Sequence, residues 1–258
     1  AQAAHAQCVL SEEPEGIARA EAQDRLEAFE CFGRAHAKFR GEQLRVLRQV
    51  ARGKLAEENG ASFIKSDFIV RVLELERRAS KIEGGLSPQD RSFLEAYVRG
   101  VNAEATGALK KDPWQIRDSI LLLLIQSFDQ TRRSFMQDIA VDEHARKGHP
   151  MELKFPWQTP ILKPGEYPAR QGAPTAKLYP FAPDDEATGS NNWIVAPRLT
   201  KKKVAMLSND PHLALKTPPF WQWVRIVYGK EQLLGASLPG APVIASGGTR
   251  KIAWGLTN

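Results

Sequence analysis

Thr188-Gly189-Ser190-Asn191-Asn192-Trp193 stands where helix-patterned sequence gives way to strand-patterned sequence. Taken alone, it reads as a polar turn entering a strand. It gains another sense if the Gly189-Ser190 bond is broken. A serine hydroxyl is a poor nucleophile without an adjacent base, and an N-terminal serine carries that base on its own α-carbon. An α-amine has a pKa of about 7.7 to 8.0, so part of it is an unprotonated base near neutral pH. Gly189 suits such a break, because glycine tolerates strained backbone angles and leaves the scissile carbonyl open to the Ser190 hydroxyl.

Upstream, apolar residues recur at helical spacing from Glu21 to about Glu58, with Asn59-Gly60 as a C-terminal stop. A second helix is predicted from about Asp67 to Lys81, ahead of Gly84-Gly85. Ser87-Pro88-Gln89-Asp90 opens a third that reaches roughly Thr106, with Ser87 as N-cap, Pro88 at the first helical position and Asp90 reaching back as in a capping box. Trp114 leads into a fourth, the apolar Ile116 to Phe135. Between Pro150 and Ala187, prolines at 156, 160, 164, 168, 174, 180 and 183 break any regular element, which fits either a spacer or an irregular surface loop. After Ser190, short β runs are predicted at Trp193–Ala196, Val204–Leu207, Trp221–Tyr228, Leu233-Leu234, Val243–Ala245 and Ile252–Trp254. Trp221 to Val227 lacks clean alternation, as expected of a strand covered on both faces.

Three further motifs follow Ser190 in order: Asn209-Asp210-Pro211-His212-Leu213, Gly235-Ala236-Ser237-Leu238-Pro239-Gly240 and Ala253-Trp254-Gly255-Leu256-Thr257-Asn258. The series resembles the start of the catalytic β chain of the penicillin acylase (penicillin amidase) family of N-terminal-nucleophile hydrolases. Upstream, Gly33-Arg34-Ala35-His36-Ala37-Lys38-Phe39-Arg40, Arg52 to Glu57, Leu94 to Tyr97 with Gly100 to Ala103, and Trp114 with Asp118-Ser119 resemble its α segment. Lys38-Phe39 departs from the Gln-Asp or similar pair that usually precedes the arginine. The resemblance implies an α+β fold of αββα sandwich type and a precursor cut into chains that stay associated. It divides this sequence into a helical α segment (1–150), a proline-rich spacer (151–189) and the first part of the β segment (190–258). Because the family's β chain normally continues for several hundred residues, the sequence is expected to be a truncated frame or a fragment, inactive and poorly stable alone.

On that resemblance Ser190 is the nucleophile and Gly189-Ser190 the processing site. Backbone N–H groups at His212 and at or just after Asn258 are the oxyanion donors. The His212 side chain either orients the Ser190 amine or hydroxyl, or is satisfied within a turn after Pro211. Ser127, Phe128 and Thr131 on the fourth helix, with Leu213, are candidates for the acyl pocket, against plain core packing for Phe128. The expected reaction is hydrolysis of a linear amide through an ester on Ser190, the substrate a small-molecule amide of penicillin or N-acyl homoserine lactone type. The rivals are an unprocessed, non-catalytic binding relative and a plain interaction domain. No cofactor is required. A structural calcium is left open, with Gln137 or Asp138 near the position of a family ligand, and no metal ligand is assigned.

At 258 residues with 42% hydrophobic and 26% charged content, the composition is ordinary for a globular protein. The net charge of +6 and pI near 9.3 do not argue for nucleic acid, since 36 basic residues are scattered among 30 acids and Lys201-Lys202-Lys203 falls where a hairpin turn is expected. Ile120 to Ile125 is far too short to span a bilayer. His144 and His149, near Asp142 and Glu143, match no metal-ligand spacing and read as a solvated face. No Gly-x-Ser-x-Gly elbow or Cys-x-x-Cys pair occurs. Cys8 and Cys31 are either one disulfide or two thiols. The small residues from Ala1 to Gln7 fit a mature export product, and family habit points to the periplasm or secretion.

Overall fold

A computed structural model describes residues 8–146, 189–213 and 217–257. The chain divides into two units, Ala1–Gln126 with Ala182–Asn258, and Ser127–Phe181. In the first, β1 (Val9–Glu12) and β2 (Ala18–Ala22) precede the long α1 (Arg25–Ala51). Then come α2 (Leu55–Asn59), α3 (Ile64–Val72), α4 (Leu75–Gly84), α5 (Pro88–Glu104), α6 (Gly107–Lys111) and α7 (Ile116–Arg146), the last continuing into the second unit. After the proline-rich stretch come β3 (Gly189–Val195), β4 (Met206–His212), β5 (Gln222–Tyr228), β6 (Glu231–Ser237), β7 (Ile244–Thr249) and β8 (Ala253–Trp254). The architecture is α+β.

Six strands form one sheet in the order β1-β2-β5-β6-β7-β8, and β3 and β4 form a separate hairpin. Every pairing is antiparallel except β2 with β5, which run parallel with Ala20 opposite Ile226. Strand β2 was not predicted, because its Ala-Arg-Ala-Glu-Ala sequence lacks β-branched and aromatic residues and its last two residues fall in the helical pattern expected from Glu21. The expected first helix accordingly starts later, at Arg25, and breaks after Ala51. Asp24 caps it by accepting from the Glu27 N–H, while the Glu27 carboxylate accepts from the Gln23 N–H. The expected second helix is two, α3 and α4, parted at Glu74, whose φ of 51° no α-helix continues through. The third matches the expected caps: Ser87 Oγ accepts from the Asp90 N–H at 3.1 Å, and the Asp90 carboxylate accepts from Ser87 Oγ at 2.7 Å.

Helix α1 lies between α5 and the sheet. Gly33 and Gly100 set the α1–α5 approach. A Cβ on Gly33 would fall 2.1 Å from the Tyr97 carbonyl oxygen, and one on Gly100 would fall 1.9 Å from that of Glu30. Only glycine fits either place. The helices thus meet backbone to backbone, and the two α-segment motifs containing these glycines prove to be the two sides of one contact. On the other side, α1 buries Ala28, Cys31, Phe32 and Ala35, while the sheet contributes buried Ala18, Ala20, Val224 and Ile226. In β5, Gln222, Val224 and Ile226 are buried, whereas Trp223 is 53% exposed. Among the described residues this strand is therefore covered on one face, not two. Its apolar residues on the second face hid the alternation.

His36 joins the layers at the centre. It is fully buried, with Nδ1 2.7 Å from the Tyr97 hydroxyl on α5 and Nε2 2.9 Å from Ser237 Oγ on β6. Ser237 Oγ donates its one proton to the Gln222 carbonyl at 2.9 Å, so Nε2 must be the donor to Ser237. Nδ1 then accepts from the Tyr97 hydroxyl and from the Gly240 N–H at 3.3 Å. This neutral tautomer satisfies every group. Burial, with a smaller push from Arg40, lowers the His36 pKa from 6.5 to about 3.

A second polar cluster fixes the start of α7. Arg52 pairs with the buried Asp118 at 2.7 Å, and Arg48 lies 5.4 Å from the Trp114 ring centre. Asn102 closes a two-way bond with the Trp114 backbone, accepting from its N–H at 2.8 Å and donating to its carbonyl at 3.0 Å. Burial pushes the Asp118 carboxyl up, against the pull of Arg52 and the other partners. Cys8 and Cys31 are joined as a disulfide, with Cα atoms 5.5 Å apart, which ties the chain ahead of β1 to α1. No helix among the described residues is long and apolar enough to cross a membrane.

Candidate active site

Strand β3 begins at Gly189, so Ser190 lies at the head of a strand. The hairpin register sets Gly189 opposite His212, Ser190 opposite Pro211 and Asn191 opposite Asp210. The expected β4 starts two residues late and runs through the Asn-Asp-Pro-His motif, because edge strands tolerate a proline that a central ladder would not. Lys201 to Lys203 lie in the connection between β3 and β4, as expected.

His212 Nε2 is 3.2 Å from the Asp210 carboxylate and 3.2 Å from Asn191 Nδ2. The carboxylate and the amide N–H make opposite demands on Nε2, which donates to Asp210 in one tautomer and accepts from Asn191 in the other. Nδ1 lies beside Gly189, where an added Cβ would be 3.5 Å from it.

The last β-segment motif, Ala253 to Asn258, meets the Asn209 to Leu213 motif here. Asn209 Nδ2 donates to the Asn191 and Leu256 carbonyls, each at 2.9 Å, and Asn209 Oδ1 accepts from the Leu256 N–H at 3.2 Å. Thr257 Oγ1 donates to the Ser190 carbonyl at 2.9 Å. Asn209, Asp210 and Thr257 were not singled out from the sequence, although each lies inside a quoted motif. The available signal was that two motifs far apart in the chain both hold small polar residues beside a glycine or proline.

Ser190 and His212 are thus brought together in the first unit, with Leu213 just after β4 and 37% exposed. Asn258 lies outside the described residues. Ser127, Phe128 and Thr131 lie in the second unit, Ser127 and Thr131 exposed and Phe128 half-buried. Thr131 Oγ1 donates to the carbonyl of Ser127 at 2.9 Å, within its own helix. The side chains of Gln137, Asp138 and His144, and residue His149, are outside the described residues. Among the described residues no group of three or more His, Cys, Asp or Glu is placed to hold a metal.

Acyl-homoserine lactone acylase QuiP of Pseudomonas fluorescens is 28% identical over 265 residues, which cover 90% of this chain and 32% of that protein. QuiP of Pseudomonas aeruginosa is 29% identical over 265 residues, covering 90% and 30%. The penicillin acylase 2 proenzyme of a Pseudomonas species is 27% identical over 258 residues, covering 88% and 33%. The chain spans about a third of the length of these relatives. A thermostable penicillin G acylase from Alcaligenes faecalis superposes with a TM-score of 0.45 at 17% identity, over 55% of this chain and 84% of that one. The penicillin amidase family profile matches residues 10–258, nearly the whole sequence, and the chain belongs to that family.

Proposed function

We propose that this chain carries the nucleophile of an amidohydrolase that acts by acyl transfer through Ser190. The observation that carries the reading is the junction itself: Ser190 heads a strand, and the His212 ring lies beside Gly189, its partner across the hairpin. In the first reaction the Ser190 hydroxyl attacks the Gly189 carbonyl, and the resulting ester is hydrolysed to leave a free Ser190 α-amine. In turnover that amine takes the hydroxyl proton as Oγ attacks the substrate amide, then returns a proton to the leaving amine. Water completes the cycle by hydrolysing the acyl ester. His212, held by Asp210, orients the Ser190 amine. Oxyanion donors are assigned to the backbone N–H of His212 and to that at or just after Asn258. The substrate is an amide with an apolar acyl group, of N-acyl homoserine lactone or penicillin type, in keeping with the names of the relatives. Leu213, just after His212, is assigned to its acyl group. The reaction as written draws on no cofactor, and a structural calcium near Gln137 or Asp138 would play no part in it.

After cleavage the two pieces stay together on this reading. Strand β2, from ahead of the junction, pairs with β5 from beyond it, and His36 binds Ser237 across the same divide. The Cys8–Cys31 bond supports an oxidising compartment, periplasmic or extracellular. N-terminal sequencing of the purified full-length gene product tests the central step. One chain should begin Ser-Asn-Asn-Trp. An active protein with an uncut Gly189-Ser190 bond would refute the mechanism.

A further inference from the structure

Asn209 sits within β4 opposite Asn192, yet its side chain serves other segments. Its amide is used at both ends: Nδ2 gives both protons to carbonyls, of Asn191 and Leu256, and Oδ1 takes the Leu256 N–H. The partners fix the orientation, since two carbonyls require the nitrogen and an N–H requires the oxygen. The contact is close enough to dictate its neighbour, because a Cβ on Gly255 would stand 2.7 Å from the Asn209 Cβ. One residue beyond Leu256, Thr257 Oγ1 holds the Ser190 carbonyl. Two successive carbonyls of the nucleophile strand, those of Ser190 and Asn191, are therefore each held by a neutral side-chain donor. Both anchor the strand to the segment Gly255–Thr257. The Ser190 carbonyl lies in one of the two peptide planes that meet at the Ser190 Cα and the Asn191 carbonyl fixes the next plane along, so the two restrain the direction of the hydroxyl.

We infer that Asn209 and Thr257 are a positioning pair that sets the aim of Ser190. The inference rests on Ser190 being the nucleophile. Neither residue supplies charge or proton transfer. They act through the strand, fixing where Oγ lies relative to the bond attacked. Displacement of a reacting atom by about 1 Å costs on the order of a hundred-fold in rate, and one lost anchor permits a shift of that size.

The test uses the full-length gene product with Asn209→Asp, Thr257→Val, Thr257→Ser and their Ser190→Ala reference. Asn209→Asp keeps the shape but turns an oxygen toward two carbonyl oxygens. Thr257→Val keeps the shape without the hydroxyl, and Thr257→Ser keeps the hydroxyl. Active sites are counted with a serine-reactive sulfonyl fluoride, and turnover is measured on a chromogenic fatty-acyl or phenylacetyl anilide. Per counted site, kcat should fall roughly ten- to a hundred-fold in Asn209→Asp and Thr257→Val, with KM within about twofold. Thr257→Ser should stay near wild type, and the double variant should fall short of the product of the single effects. A purely structural role would lower the number of sites and leave kcat per site unchanged. Unchanged kcat per site in both variants, or equal loss in Thr257→Ser and Thr257→Val, overturns the inference. Should Asn209→Asp remain unprocessed, the valine and serine pair decides. Undiminished turnover in Ser190→Ala would instead remove the nucleophile assignment on which it stands.

Discussion

His36 makes stability depend on pH in a way that can be worked out from its surroundings. Its ring is sealed between α1, α5 and β6, both nitrogens are engaged, and burial holds its pKa at about 3 where the exposed value is 6.5. The folded state therefore refuses a proton that the unfolded state accepts. Since the folded pKa lies below the unfolded one, the contribution is present in full above pH 6.5 and is lost as pH falls toward 3. The full difference is on the order of 5 kcal/mol, and about 3 kcal/mol of it is gone by pH 4.5. The perturbation is His36→Gln, which places an amide donor near Ser237 and titrates nowhere in this range. Urea unfolding of wild type and variant between pH 7.5 and 4.5 gives the difference in stability, in which the carboxylates common to both cancel. The variant is expected to be less stable at pH 7.5, because Tyr97 and Gly240 lose their acceptor. That gap should close by about 3 kcal/mol on going to pH 4.5. A gap independent of pH would show that His36 is not held neutral by the fold, and nitrogen chemical shifts reporting a proton on Nδ1 would refute the assigned tautomer.

Ser190→Ala should abolish both cleavage at Gly189-Ser190 and amide turnover, whereas Ser190→Cys should still be processed on a denaturing gel while turnover falls. Gly100→Ala drives a methyl into the Glu30 carbonyl, 1.9 Å from the Cβ position, and should destabilise by about 3 kcal/mol or more, read as a lowered urea midpoint. Asp118→Ala leaves Arg52 part-buried without its closest partner and should cost about 3 kcal/mol by the same measurement. Replacing Cys8 and Cys31 by serine opens a crosslink between residues 23 apart, and the loop-entropy relation gives a loss of about 3 kcal/mol.

How far the sequence revealed the fold follows the strength of local signals. The start of helix α5 was legible to the residue because Ser87 and Asp90 satisfy one another around Pro88 within a single turn. Strand β2 was not, because nothing local makes Ala-Arg-Ala-Glu-Ala extended: its partner β5 lies some two hundred residues on, and the ladder between them is a tertiary fact. The break at Glu74 escaped for a related reason. Left-handed backbone at a glutamate has no compositional mark, whereas Gly60, with a φ of 93°, announced the end of α2.

The site shows a different limit. Ser190 and His212 could be named because their side chains have chemistry of their own, but Asn209, Gly255 and Thr257 have meaning only as a set. An asparagine that clamps a leucine backbone, a glycine that makes room for the clamp and a threonine on the next carbonyl are each unremarkable alone. The same holds upstream, where Gly33 is required by Tyr97, Gly100 by the Arg34 backbone, and Arg52 by Asp118. In each case residues from two separate motifs complete one contact, so a motif in this chain is half of a juncture whose other half lies elsewhere in the sequence. A substitution in one half should therefore be rescued, where it can be, from the other. Asn209→Gly, which removes the clamp together with the Cβ that would stand 2.7 Å away, leaves space that a methyl at Gly255 could fill, and Gly255→Ala should harm that background less than it harms wild type. Equal harm in both would show that Gly255 is required by its backbone alone and that the two motifs are not coupled.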